Sequence, residues 1–246
     1  SGTITLKNML VKVSSATSYV LQNEAGSTAM LLSIYGYMYS TGNKYSIYNS
    51  GNITLGTTTN GSLGNFYFSN GTGTDGSAAI YNKGTCNLAS YSVIVPLNGK
   101  TMTYGVYNES GASLSSAGTI EGTGYSKTTS DTAMYTGTIQ TGIHNLGTVV
   151  QAAGTIRNCG SYGINNVTEC SADISNCVTG VFNGSSTDAG KNTTAVINKI
   201  SGKITNNTDY GIYTIARINA INSSSISSNG NSRSRGSAIY ATGANA

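Results

Sequence analysis

One five-residue pattern of apolar and polar positions recurs along the chain. Its third position is Ile or Val, its fourth is usually aromatic and its fifth is usually Asn. The copies begin at Tyr45, Ala78, Tyr104, Thr141, Tyr162, Thr179, Tyr210 and Ser237. A second pattern, Gly-Thr-Ile or a close variant, lies between copies, as at Gly118–Ile120 and Gly154–Ile156. Repetition of one phrase is typical of a solenoid, in which each repeat stacks on its neighbours.

The pattern predicts short strands, because side chains along a strand point alternately to its two faces. We expect the third positions to form an inward column, and the second and fourth positions to point outward. The inward column comprises Ile47, Ile80, Val106, Ile143, Ile164, Val181, Ile212 and Ile239. The closing Asn is expected at a corner, in a left-handed conformation, with its side chain bonded to the coils above and below.

Successive copies are separated by 17 to 37 residues, which is too irregular for a strict solenoid such as a leucine-rich repeat. A β-helix tolerates this irregularity because loops can leave its corners. We therefore predict an all-β chain, a right-handed parallel β-helix with irregular corner loops, as a single domain over residues 1–246. The longest interval, from Tyr104 to Thr141, is expected to hold an extra coil or a loop near residues 122–136. The rival fold, an immunoglobulin-like sandwich, would not repeat one phrase in this way.

Composition narrows the choice of partners. Only 9% of the residues are charged, against roughly 25% in an average protein. The net charge is +4, and the thirteen Lys and Arg residues are scattered along the chain. The densest basic spot, at Arg233 and Arg235, is interpreted as a solvated loop. Because a nucleic-acid interface needs a basic stripe, no nucleic-acid partner is predicted. No apolar run approaches the length of a membrane span. The start at Ser1, without Met, suggests a mature or excised product.

Several phrases resemble those of repetitive β-helix surface proteins of microbes. Gly76-Ser-Ala-Ala-Ile80 and Gly236-Ser-Ala-Ile239 are similar to their Gly-Gly-Ala-Ile phrase, although the doubled glycine is absent here. Tyr67-Phe-Ser-Asn70 resembles their Phe-x-x-Asn phrase. These proteins include adhesin-like proteins, autotransporter passengers and polymorphic outer-membrane proteins. The resemblance implies an extracellular or cell-surface location.

Catalytic residues are not apparent. Enzymes on this fold usually act on polysaccharides, so a polysaccharide lyase or glycoside hydrolase is the alternative function. Hydrolysis needs two carboxyl groups that face one cleft. Glu169 and Asp173 are the closest acidic pair; on one strand they would lie about 13 Å apart, which is too far. No catalytic residue is therefore assigned.

The outward aromatic stripe is the most suggestive candidate for ligand binding. It comprises Tyr48, Tyr81, Tyr107, His144, Phe182, Tyr213 and Tyr240. Tyr rings suit sugar rings and protein interfaces. The alternative is that the rings stack on one another and only stabilise the sheet. His144 is interpreted as an aromatic member of the stripe. Without a second His or a Cys-x-x-Cys motif, no metal site and no cofactor are predicted.

Four cysteines can be placed by the repeat. Aligning the two Ile-x-Asn-Cys phrases that end at Cys159 and Cys177 puts these residues one above the other in neighbouring coils. Neighbouring strands lie about 4.8 Å apart, so a disulfide is compatible with the spacing. Two buried free thiols are the other alternative. Cys86 and Cys170 lie in coils that are not neighbours and are predicted not to pair.

Nine Asn-x-Ser/Thr sequons occur in this Asn-, Ser- and Thr-rich chain. Because glycans need exposure, the sites predicted to lie in loops are the better candidates for N-glycosylation. These sites are Asn60, Asn192 and Asn222.

Together these features predict a non-catalytic, extracellular structural or adhesive module. Its partner is a glycan or another surface ligand, or a second copy of the chain. A solenoid has open edges that invite pairing, and the phrase Ser237–Ala241 lies almost at the C-terminus without a capping helix. The chain is therefore either a fragment or a subunit that stacks head to tail into filaments.

Overall fold

The computed structural model describes residues 2–6, 9–33, 36–56, 66–97, 99–122, 137–184, 196–222, 225–230 and 236–242. Within them, every regular element is a strand. The sequon residues Asn60 and Asn192 and the basic residues Arg233 and Arg235 lie outside the described residues.

The strands, β1 to β26, are distributed over three long stacks, called here sheets 1, 2 and 3. Sheet 1 contains β1 Gly2–Leu6, β4 Thr28–Ser33, β7 Asn52–Leu55, β10 Thr85–Leu88, β13 Ser113–Ser116 and β16 Thr148–Ala152. A two-stranded sheet continues it with β19 Glu169–Cys170 and β22 Lys199–Ile200. Sheet 2 contains β2 Met9–Val13, β5 Gly36–Ser40, β8 Phe66–Asn70, β11 Ser92–Ile94, β14 Thr119–Glu121, β17 Thr155–Arg157, β20 Asp173–Ser175, β23 Ile204–Thr205 and β25 Ile226–Ser227. Sheet 3 contains β3 Leu21–Asn23, β6 Tyr45–Asn49, β9 Ala78–Asn82, β12 Thr101–Asn108, β15 Thr138–Asn145, β18 Tyr162–Asn165, β21 Thr179–Asn183, β24 Tyr210–Thr214 and β26 Ser237–Ala241.

The order of the strands defines a parallel β-helix. Most strands pair in parallel with the strand three elements away in the chain. The exceptions are the interruption of sheet 1 between β16 and β19, and the last coil, in which β25 and β26 pair with β23 and β24, two elements away. Three consecutive strands therefore make one coil, and each coil lies on the previous one. This arrangement confirms the predicted fold class and excludes the sandwich, whose strands would be antiparallel. The right-handed sense stays a prediction from crossover sterics.

The predicted inward column is confirmed by the strand registers. Ile47 pairs with Ile80, which pairs with Val106, and the column continues to Ile239. Its inner members are fully buried, whereas Ile239 in the last coil is 38% exposed. The column belongs to one continuous apolar core that runs through the stack. Burial of branched aliphatic side chains along this core stabilises every coil against its neighbours.

The length of the coils varies only at their corners. Tyr104 pairs directly with Thr141, so the longest interval holds no extra coil. The surplus residues of this interval, 123–136, lie outside the described part of the chain. The shortest interval, from Tyr162 to Thr179, makes a complete coil through β19, β20 and β21.

The expected outward direction of the second pattern position is wrong. Ser46 and Ala79 are fully buried, and the glycines at this position are also buried. A Cβ added to Gly142 would lie 2.6 Å from the carbonyl oxygen of Gly163 and 2.7 Å from a methyl group of Ile156 in sheet 2. The second and third positions therefore both face the interior, whereas the tyrosines at the first position and most of the rings at the fourth are partly exposed. Only a small residue fits where the backbone comes so close to the next coil.

The closing Asn residues form the predicted ladder. In Asn23, Asn49, Asn82 and Asn108, each Nδ2 donates a 2.7 Å hydrogen bond to Oδ1 of the next Asn, up to Asn145. Their expected left-handed conformation is wrong for all except Asn166, which has φ 61°. The others end a strand and keep extended backbone. The left-handed corner instead follows sheet 2, at Asn158, Asn176 and Asn206.

Candidate binding surface

The outward fourth positions of sheet 3 form a column of rings, called here the aromatic ladder. Strand registers align Tyr48, Tyr81, Tyr107 and His144 in one part of it. Phe182, Tyr213 and Tyr240 form the other part. Asn165 takes the ring position of β18 and separates the two parts.

A second set of rings, which the sequence interpretation missed, flanks the ladder. Tyr45 stacks on Tyr81 with ring centroids 4.2 Å apart, and Tyr162 stacks on Phe182 at 4.5 Å. These tyrosines occupy the first position of the five-residue pattern. The signal was visible in the sequence, since Tyr recurs at this position. The assumed strict alternation of directions hid it.

The rings of the ladder lie largely face to face along the helix axis. Neighbouring centroids are 5.1 to 5.5 Å apart and the ring planes differ by 17° to 37°. Each inner ring face is therefore covered by the rings of adjacent coils, and the edges and hydroxyl groups remain for other contacts. This geometry favours stabilisation of the stack. Ligand binding by the ladder stays a prediction.

Several tyrosines of sheet 3 hold their phenolic protons more tightly than usual. Burial raises the pKa of Tyr45 to about 12 and also raises the pKa values of Tyr104 and Tyr107. The pKa of Tyr81 is raised by burial and by a hydrogen bond with Glu109. The Glu109 carboxylate also forms a 3.4 Å ion pair with Lys83 at the edge of the ladder. The phenols thus stay protonated beside a compensated pair of charges.

His144 behaves as the sequence interpretation expected of an aromatic member. Its side chain is 8% exposed, and its ring centroid lies 4.7 Å from that of Tyr104. Its Nδ1 lies 3.3 Å from Nδ2 of Asn165 in the next coil. The imidazole therefore continues the ring stack and contacts the residue that interrupts it.

The four cysteines are buried free thiols. For Cys159 and Cys177 this is one of the two alternatives that the sequence left open, and their oxidation stays a prediction. A hydrogen bond with Cys177, followed by burial, raises the pKa of Cys159. Burial raises the pKa values of Cys86 and Cys170 to about 12. Cys86, Cys159 and Cys170 are therefore poor nucleophiles in the folded chain.

A buried carboxylate at the end of β14 was not anticipated. Glu121 is 1% exposed and accepts hydrogen bonds from Arg157 and Asn158 of the next coil. The signal lay in the Gly-Thr-Ile phrases, which are followed by Glu121 in one coil and by Arg157 in the next. Opposite charges at equivalent positions of stacked coils predict a cross-strand pair.

The acidic pair Glu169 and Asp173 does not lie on one strand, as the sequence interpretation assumed. Glu169 lies on β19 and Asp173 on β20, in different sheets, because a corner separates them. Of the predicted glycosylation sites, Asn222 is exposed, as an acceptor needs to be.

Among the described residues, no group of three or more His, Cys, Asp or Glu side chains could hold a metal ion. The same part of the chain has no helix that is long and apolar enough to cross a membrane. No protein family, curated protein or solved structure matches this chain. The resemblance to microbial surface proteins therefore rests on the short repeated phrases alone.

Proposed function

We propose that the protein is a non-catalytic, extracellular structural and adhesive module of the kind found in microbial β-helix surface proteins. The observation that carries this proposal is the bonding along the helix axis. Parallel sheets, the Asn ladder and the aromatic ladder all connect one coil to the next. Such a stack is suited to act as a rigid rod that displays its outer faces and corner loops.

The adhesive part of the proposal concerns the outer faces. Ring edges and tyrosine hydroxyls follow one another along sheet 3 at the spacing of the coils. Amphipathic side chains in such a row suit contacts with a glycan or another surface ligand. The scattered basic residues make nucleic acid a poor partner.

The structural part of the proposal is self-assembly of the rod. In the last described coil, Ile221, Ile239 and Tyr240 are 38% to 42% exposed. Ile239 is paired on one side only, with Ile212. The first coil offers Leu21 at the equivalent position, where it pairs with Ile47. Stacking β3 of a second copy on β26 would continue the inward column, which is heterologous head-to-tail assembly.

Light scattering after size-exclusion chromatography tests self-assembly. The mass of the wild-type chain should rise with concentration, and electron microscopy should show filaments. Ile239→Asp should stay monomeric, because the substitution places a charge in the stacking surface. Val150→Asp is the matched control, since Val150 is 64% exposed on the side of the rod. A strictly monomeric wild-type chain over a wide concentration range contradicts this part of the proposal.

A binding screen against carbohydrates and cell-wall or host material tests the adhesive part. Failure to bind any of them contradicts it. The same preparation tests the alternative, a polysaccharide lyase or glycoside hydrolase. Release of reducing ends or of unsaturated products from a glycan would show that the protein is an enzyme.

A further inference from the structure

A groove lies on the outside of sheet 1, at the junction with its two-stranded continuation. Its open volume is about 410 Å³, and it lies between β16, β19 and β22. Its lining includes the side chains of Val150, Gln151, Glu169, Ser171, Lys199 and Ser201. The groove is thus on a different side of the rod from the aromatic ladder.

A β-bulge lies in the last strand of sheet 1, beside this interruption. Leu114 pairs with Val149 and Ser115 pairs with Gln151, so Val150 is the extra residue in β16. Its side chain is 64% exposed. Beyond the bulge, the ladder between β16 and β19 is reduced, although the Ser171 amide still donates a 2.7 Å hydrogen bond to the carbonyl of Ala152. Bulges bend a strand and redirect its side chains, and the bulged residue Val150 is part of the lining of the groove.

Opposite charges face this groove without forming an ion pair. Glu169 and Lys199 are exposed and directly opposed in the register of β19 and β22. In the described part of the chain, ion pairs join Lys83 to Glu109 and Arg157 to Glu121, but none joins Glu169 to Lys199. The carboxylate and the ammonium group therefore both keep their capacity to bind a ligand.

We propose that the groove binds a neutral saccharide. This inference rests on the adhesive part of the proposed function and assigns the glycan to a site other than the ladder. Sugar hydroxyls can donate to Glu169 and accept from Lys199, and the Gln151 amide can do both. The apolar C–H face of a pyranose ring can pack on Val150.

Charge and size support the same ligand class. Glu169 and Lys199 give the lining one negative and one positive charge, so an ionic ligand would meet attraction and repulsion together. A neutral polyol satisfies both groups through hydrogen bonds. The volume of about 410 Å³ falls within the usual range of small-molecule sites. The ladder is less suited to stacking with sugar rings, because its inner ring faces are already covered.

The test uses the full chain on an array of neutral gluco-, galacto-, manno- and N-acetylglucosamine oligosaccharides, with oligogalacturonates as acidic probes. Hits are measured by calorimetric titration. Binding to a neutral oligosaccharide is expected, and Glu169→Ala and Lys199→Ala should each weaken it about tenfold or more. Asp75→Asn and Lys100→Met are controls at exposed positions outside the groove and should bind as the wild type does.

Three outcomes overturn the inference in distinguishable ways. Neutral binding that survives both groove substitutions but is lost in Tyr213→Ala places the glycan on the ladder and leaves the adhesive function standing. Binding of the acidic probes alone refutes the neutral ligand class. No binding to any probe overturns the groove and counts against carbohydrate adhesion, while self-assembly is judged separately by light scattering. Circular dichroism melting of each variant shows that the fold is kept.

Discussion

The Asn ladder provides the sharpest test of how the coils are held together. Asn82 is fully buried in its middle. Its Nδ2 donates to Oδ1 of Asn108 at 2.7 Å and to the carbonyl of Ser113 at 2.9 Å, and its Oδ1 accepts from Asn49 at 2.7 Å. Asn82→Ala removes all of these bonds and adds none. The neighbouring amides and the carbonyl then stay buried without their partner.

The expected loss of stability follows from these contacts. A buried polar group that loses its partner destabilises a fold by about 1 to 3 kcal/mol. Asn49 Nδ2 keeps two other acceptors, the carbonyls of Gly51 and Thr85. Its lost bond to Asn82 therefore contributes little to the destabilisation. The groups on Asn108 and Ser113 are affected more. We therefore expect Asn82→Ala to lower the free energy of unfolding by about 3 to 5 kcal/mol.

Urea unfolding followed by circular dichroism measures this change. Asn87→Ala is the matched control, because Asn87 is a half-buried, outward-facing residue on the adjacent strand β10. It should change stability by less than about 0.5 kcal/mol. If Asn82→Ala destabilises the fold no more than Asn87→Ala does, the hydrogen bonds of the Asn ladder do not hold the coils together.

Two further substitutions test the interior. Gly142→Ala should lower stability by about 1 to 3 kcal/mol in urea unfolding, because its Cβ would overlap the carbonyl of Gly163, whereas Ala at the equivalent Ala79 is accommodated. For Cys86, burial raises the pKa from 9.0 to about 12, so the folded chain holds the proton more tightly than the unfolded chain. The contribution of the Cys86 thiol to the free energy of unfolding is complete below pH 9. It falls by roughly 1.4 kcal/mol per pH unit as the pH rises from 9 to about 12. Between pH 9 and about 12, the free energy of unfolding should therefore fall less steeply with pH in Cys86→Val than in the wild type. An equal slope in the two proteins would contradict the burial of this thiol.

The stacking of the coils could be predicted because the repeated five-residue phrase shows which residues of successive coils are equivalent. When equivalent Ile residues are placed above one another, as Ile47 on Ile80, the strand registers follow without knowledge of the loops. Loop length then has little influence on the core. The Asn ladder followed from the same alignment, since a buried amide at a corner needs a partner in the next coil.

Directions within the phrase were harder to predict. Alternation assumes a regular strand, but the pairing of β9 and β12 passes from Ala78–Tyr104 to Ile80–Val106 without a partner for the residue between. At that irregularity the second and third positions, Ala79 and Ile80 in β9, are both fully buried. The small size of Ser46 and its equivalents was the available clue, since an outward position would accept larger residues.

The groove could not be predicted, because a bulge within Thr148–Ala152 has no sequence signature of its own. Glu169 and Lys199 are 30 residues apart in the chain, and their pairing depends on the path of the corner between them. The sequence gives the repeating contacts of a solenoid reliably. Single departures from the repeat appear only in three dimensions.

Those departures concentrate in one region of the rod. The bulge at Val150, the interruption of the aromatic ladder at Asn165 and the end of the Asn-to-Asn bonding at Asn145 all fall in coils that are in contact with one another. Stability alone would favour continuing each ladder, because every regular repeat adds the same favourable contacts. A region where a repeating structure gives up its regular contacts is therefore where a selected function is expected. The groove that holds Glu169 and Lys199 opens beside this region, which is why we place the neutral saccharide there.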